Sequence, residues 1–210
     1  MIDLASISLP RFIADWYGQP DLPAEEAAGC TGLPESLHAW YDLAAQYSTP
    51  LLGVKRFALP GNIGMRNGKA VFLSDPGNAI WGYDPDFPMD VYEGSLHGEW
   101  VKLLETLPEF LVHNALGEAV HNAPFARYGG SVENARVADV VAPLVEVAIG
   151  AWSWPDAGHR IFMGEGILVE VGPAIHNGAT LDDSSGFSEI QAGSTVPTGL
   201  AYVDGIPGID

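Results

Sequence analysis

The sequence predicts an α+β fold: a mostly antiparallel twisted sheet with helices packed on it, followed by a β-rich C-terminal extension. Three observations carry that reading. Leu37, Trp40, Tyr41, Ala44 and Tyr47 recur at helical spacing. Asn67-Gly68 and Asp75-Pro76-Gly77-Asn78 are turn sequences between short β-type runs. Thr106-Leu107-Pro108-Glu109 has the pattern of a capping box in front of a second apolar stripe. An order of helix, several hairpin-linked strands and helix belongs to helices covering a sheet, not to helices alternating with parallel strands.

The first helix is predicted over about 33–47, with Pro34 and Glu35 in a first turn that suits both residue types. Three strands follow at Ile63–Arg66, Lys69–Leu73 and Ala79–Tyr83. Asn67-Gly68 fits a type I′ turn, and Pro76 and Gly77 sit where a type II turn places them. Asp84-Pro85-Asp86-Phe87-Pro88 reads as a proline-broken loop, and Val91–Glu93 with Trp100–Leu104 as a further strand pair. The second helix runs from the capping box to His121 and Asn122, with Phe110, Leu111, Ala115, Ala119 and Val120 as its stripe. Gly129-Gly130 and the residues up to Arg136 look like a connection. Val137–Val141 is ambiguous between helix and strand. Short β-like runs then recur at Leu144–Ala148, Ala151–Trp154, Arg160–Met163, Ile167–Val171, Phe187–Ile190 and Ala201–Val203, with a polar loop over 177–186. The expected division is a domain over 1–125 and an extension over 126–210 packed on it.

With 210 residues and 22.3 kDa, the chain can build a sizeable core. Nine basic against 27 acidic residues give a net charge of −18, yet only 17% of residues are charged, so the excess comes from scarce lysine and arginine. Such a field repels nucleic acid and anionic membrane and favours cationic partners. The single cysteine, Cys30, allows no internal disulfide and no cysteine-cluster zinc site. A reducing, cytoplasmic setting is the simplest expectation, since the first residues lack a signal-peptide pattern and no uncharged apolar run reaches the ~18 residues of a membrane span.

Several of these pieces together resemble the SUKH superfamily, which contains fungal cell-wall assembly regulators and many bacterial immunity proteins. They are Leu33-Pro34-Glu35 with its helix, the Gly68–Phe72 strand, Ile80-Trp81-Gly82-Tyr83, the 84–92 segment ending in Pro-Met-Asp-Val-Tyr, and Thr106–Leu111. The resemblance covers about 12–122. It departs at 74–78, where the glycine of the family's pre-tryptophan element is kept as Gly77 and its glutamine is lost. What the resemblance implies is a binding protein that neutralises a cognate toxin, often a nuclease, with a regulatory scaffold as the alternative that the fungal relatives suggest.

The charges are also ordered along the chain. Between Asp42 and Asp75 there are only basic charges: Lys55, Arg56, Arg66 and Lys69. Between Lys69 and Lys102 there are only acidic ones: Asp75, Asp84, Asp86, Asp90, Glu93 and Glu99. One reading makes Asp84, Asp86, Asp90 and Glu93, with Trp81, Tyr83 and Tyr92, a surface for a basic protein partner. The other pairs the two segments across neighbouring strands and puts Trp81 in the core. The final stretch 161–210, with seven acidic residues and no lysine or arginine, is a second candidate surface.

Catalytic constellations are missing from the sequence. His113 and His121 on one helix lie about 12 Å apart along the axis and about 80° apart around it, so one ion cannot be shared by both. No Gly-x-Ser-x-Gly or glycine-rich phosphate loop occurs. His38, His97, His159 and His176 read as surface or packing residues, and Cys30 as an inert thiol. The expectation is a protein without catalysis, cofactor or metal, although a site assembled from Trp154, Asp156 and His159 stays open.

Overall fold

The computed structural model describes residues 1–24, 27–150, 157–176, 183 and 185–210. In chain order they form β1 (Ile2–Asp3), α1 (Leu9–Tyr17), α2 (Glu35–Ala44), β2 (Arg56–Phe57), β3 (Gly64–Arg66), β4 (Lys69–Ser74), β5 (Ala79–Asp84), β6 (Phe87–Ser95), β7 (Val101–Thr106), α3 (Leu107–His121), β8 (Phe125–Glu133), α4 (Asn134–Val141), β9 (Val145–Ala148), β10 (Arg160–Gly164), β11 (Ile167–Pro173) and β12 (Phe187–Ser194). The fold is α+β, with two six-stranded, largely antiparallel sheets among the described residues. No described helix is long and apolar enough to cross a membrane. The chain divides into two compact units, residues 7–118 and residues 1–6 with 119–210.

In the 7–118 unit the strand order is β2-β4-β5-β6-β7, with β3 also paired to β4. An aromatic run builds its core. Trp40 of α2 stacks on Phe57 at 4.9 Å between ring centres, Phe57 meets Phe72, and Phe72 meets both Tyr83 and Phe110 of α3, which also touches Trp81. Each such pair adds roughly 0.5–1.5 kcal/mol beyond its buried area. The turn Asn67-Gly68 has positive φ at both residues (45° and 79°), as a type I′ hairpin requires. The Asp75–Asn78 turn differs from the type II expectation. Asn78 N donates to Asp75 O, but Asn78 (φ 74°), not Gly77, is left-handed, which is a type I turn closed by an αL residue.

Three elements of this unit depart from the sequence reading. Helix α1 was unexpected: Pro10 stands in its first turn, Phe12, Ile13 and Trp16 are buried, and Gly18 (φ 90°) ends it. The segment 84–88 is not a loop, because β5 and β6 run to Asp84 and from Phe87 around a two-residue turn, Pro85-Asp86. Asp84 Oδ1 accepts from Asp86 N and tightens that turn, so the prolines shape a hairpin. The first helix is also shorter than 33–47, running Glu35–Ala44.

The second unit has strand order β1-β9-β10-β11-β12-β8 around a core of Val132, Val137, Val140, Phe162, Val169, Val171, Ile190, Leu200 and Val203. Gly129-Gly130 is strand β8 here, not a connection. A Cβ on Gly129 would come within 2.7 Å of Gly208 O, so this glycine permits close backbone approach in a strand. Residues 137–141 are helical as part of α4, with Val137 and Val140 turned inward. The expected strand at Ala201–Val203 is instead a series of tight turns, Ala201 N to Thr198 O and Val203 N to Leu200 O, that still bury Leu200 and Val203. The run Ala151–Trp154 and most of the 177–186 loop lie outside the described residues.

Glu118 is 3% exposed, and its carboxylate accepts from Gly53 N and Val54 N at 2.9 Å and from Lys55 N at 3.3 Å. Truncating it strands three backbone donors. Glu118→Ala is expected to lower unfolding free energy by on the order of 2–4 kcal/mol in urea titrations; a loss under ~0.5 kcal/mol would show that the carboxylate is not what fixes 53–55.

Candidate functional site

Side chains alternate across a strand, so the burial of Trp81 and Tyr83 against the helices turns Gly82 to the other face of the sheet. The register extends that outer face: Gly82 lies opposite Tyr92, and Tyr92 opposite Lys102. A Cβ at Gly82 would sit 3.2 Å from Lys69 Cβ, so the absent side chain leaves room for the lysine to cross β5. Lys69 Nζ lies 4.0 Å from the Tyr92 ring centre and 2.7 Å from Asp84 Oδ2. Lys102 Nζ reaches Asp90 Oδ2 at 2.6 Å.

The hydrogen bond from Lys69 holds the Asp84 carboxyl below its ordinary range, and the same bond raises the lysine. Lys102 is raised by its bond to Asp90. Of the acids between Lys69 and Lys102, Asp84 pairs with Lys69 and Asp90 with Lys102 across neighbouring strands. On the same face the Trp100 ring lies against Gly94, and Trp100 Nε1 donates to Arg66 O.

The seven residues singled out from the sequence consequently separate. Trp81 (2% exposed) and Tyr83 are core, and burial pushes the Tyr83 hydroxyl up. Glu93 is half-buried and accepts from Trp81 Nε1 at 3.2 Å. Asp84 and Asp90 are ion-paired, and Tyr92 lies under Lys69. Asp86, at the tip of the hairpin, is the one acid of the set that is exposed.

The sequence reading missed the apolar exposure around these residues. Phe87 is 64% exposed, Met89 48%, Val101 63% and Leu104 77%. Leu104 stands between Lys102 and Thr106 on β7. The signal was available, because Val101-Lys102-Leu103-Leu104 cannot bury all three apolar side chains in a strand with one covered face.

A second polar cluster lies in the other unit. His159 Nδ1 is 2.9 Å from Glu170 Oε1, and His121 Nε2 is 3.4 Å from Glu170 Oε2. Gly172 makes room for the His159 ring, which a Cβ there would meet at 2.4 Å or just beyond. His113 has a different partner, Glu105, at 2.8 Å, and Glu118 faces the 53–55 amides, so these side chains of α3 do not form one cluster with His121. A carboxylate on Nδ1 orients an imidazole. Trp154 and Asp156, the residues grouped with His159 from the sequence, lie outside the described residues. Among the described residues no group of three His, Cys, Asp or Glu side chains is arranged to hold a metal ion.

No family model, curated protein or solved structure matches this chain.

Burial alone would raise the Glu170 carboxyl. The hydrogen bonds and charge of His121 and His159 outweigh it and hold the group at about 2, against an ordinary 4.5. A depressed folded-state value means stabilisation that is present above the ordinary value and is lost as pH falls through the folded one. Urea midpoints taken from pH 7 to 2 should show wild type losing on the order of 3 kcal/mol between about pH 4.5 and 2 relative to Glu170→Gln. Parallel curves for the two proteins would sink this assignment.

Proposed function

We propose that the chain is a non-catalytic protein-binding module of SUKH type, an immunity protein that acts in the cytoplasm and neutralises a basic toxin, such as a nuclease, by occupying its surface. The observation that carries this reading is the β5–β7 region. There an exposed acid at a hairpin tip, Asp86, precedes exposed Phe87 and Met89 on β6, and β7 exposes Leu104, in a molecule of net charge −18. Exposed apolar side chains rimmed by charge are the composition of recognition surfaces. An acidic field steers a cationic partner toward them.

The cross-strand ion pairs give that surface a fixed shape. Lys69 is held by Asp84 and Tyr92, and Lys102 by Asp90, so five side chains need little further ordering on binding. The core position of Trp81 assigns it a supporting part, and the contact residues are Asp86 and its apolar neighbours. A regulatory scaffold would use the same surface for a different protein.

The test is whether a gene for a secreted toxin lies beside this one and whether its toxin domain associates with the chain, followed by size-exclusion chromatography and stopped-flow mixing at several salt concentrations. Wild type should form a stoichiometric complex. Asp86→Lys should slow association several-fold and flatten its salt dependence while leaving unfolding free energy within ~0.5 kcal/mol, as is usual for an exposed turn charge. Unaltered association kinetics in the folded variant would move the contact away from the hairpin, and no complex with the neighbouring toxin would sink the immunity assignment.

A further inference from the structure

An open sheet edge offers unpaired backbone N–H and C=O groups, and folded proteins blunt or cover such edges. In the second unit both edges are dealt with. β1 is only two residues long, and β8 exchanges hydrogen bonds with Asp210, Tyr128 N to Asp210 O and Asp210 N to Tyr128 O, both at 3.0 Å. In the 7–118 unit the outer side of β4 is taken by β2 and β3. The six-residue strand β7 is different. It pairs with β6, and no described strand pairs with its other side.

The side chains on β7 do not protect it. Val101 and Leu104 are 63% and 77% exposed, and Lys102 is drawn inward over the sheet by Asp90 at 2.6 Å, so the cation that could guard the edge points away from it. The charges beside the strand are acidic. Glu99 precedes it and is exposed, Glu93 lies opposite Val101, and Asp90 lies opposite Thr106. Between the Asp90–Thr106 and Tyr92–Lys102 pairs the extra residues fall on β7, within 103–105, and pairing with β6 resumes at Thr106.

We propose that β7 is a strand-addition site, where an extended segment of a cationic protein, alternating basic and apolar residues, pairs with the open edge of the sheet. This rests on, and sharpens, the protein-binding function above. Backbone hydrogen bonds to β7 would supply most of the affinity. Apolar side chains on one face of the added segment would meet Leu104, and basic ones on the other face, that of Val101, would meet the exposed Glu99. A second copy of this chain fits less well, since two bodies of charge −18 repel and β7 would bring acidic rims together.

The experiment uses the full chain with three synthetic peptides: one alternating Lys and Val, one alternating Glu and Val, and the Lys-Val peptide broken by central prolines. Amide hydrogen exchange is followed residue by residue, with affinity from titration. The Lys-Val peptide should slow exchange of amides within 101–106 at least fivefold. The Glu-Val and proline-broken peptides should leave them unchanged. Val101→Ser/Leu104→Ser, at two exposed positions, should weaken Lys-Val binding at least fivefold with an unaltered urea midpoint. Equal binding of the proline-broken peptide, or protection located elsewhere, would overturn strand addition and leave charge attraction as the whole effect. The peptides need no toxin, so a failed toxin complex with β7 protected removes the immunity assignment alone. A toxin complex that leaves 101–106 exchanging freely removes strand addition alone.

Discussion

The stacking of Trp40, Phe57, Phe72, Phe110, Trp81 and Tyr83 sets the geometry on which the candidate surface depends. Large rings from α2, three strands and α3 meet in one core, so β5 has a single register in which both Trp81 and Tyr83 point inward. A slip by one residue would put Gly82 inside and both rings in water, at a cost of several kcal/mol in buried area. Everything on the other face follows from that choice. Gly82 becomes the place where Lys69 crosses, Tyr92 the ring beneath the lysine, and Asp84 its counter-ion.

Much of the 7–118 unit was legible because its signals are local. A type I′ turn needs two adjacent left-handed residues, and Asn67-Gly68 can only mean that. The capping box places Glu109 within reach of Thr106, and the carboxylate does accept from both its amide, at 2.8 Å, and its hydroxyl. The four-residue turn at 75–78 was found with the wrong type, since whether Gly77 or Asn78 takes positive φ is decided by the strands that the turn must join. Pro85 and Pro88 misled in the same way. Proline is a breaker inside a paired strand, but at a hairpin tip and at a strand's start its missing donor costs nothing.

The polar clusters were illegible for a different reason. Glu170 and His159 could be guessed as neighbours only with the β10–β11 register known, and His121 joins them from a helix remote in sequence. Nor does the sequence distinguish Glu118, which holds three amides of the 53–55 turn, from an ordinary surface glutamate on a helix. Pairing across a fold depends on backbone placement that no spacing rule contains. The charge switch between Lys69 and Lys102 is the intermediate case. Its two readings, surface and cross-strand pairing, were both visible, and only the register decides between them for Asp84 and Asp90.

That decision changes what kind of recognition the protein can perform. Acids committed to internal ion pairs contribute to the long-range field but offer little at contact, because a partner would have to break a bond already made. Steering therefore comes from the molecule's whole charge and from the uncommitted acids Asp86 and Glu99. Short-range affinity must come from groups without a competing partner, namely the exposed Phe87, Val101 and Leu104 and the open side of β7. The two contributions lie on one hairpin and its neighbouring strand, so a cationic partner drawn in by the first arrives at the second.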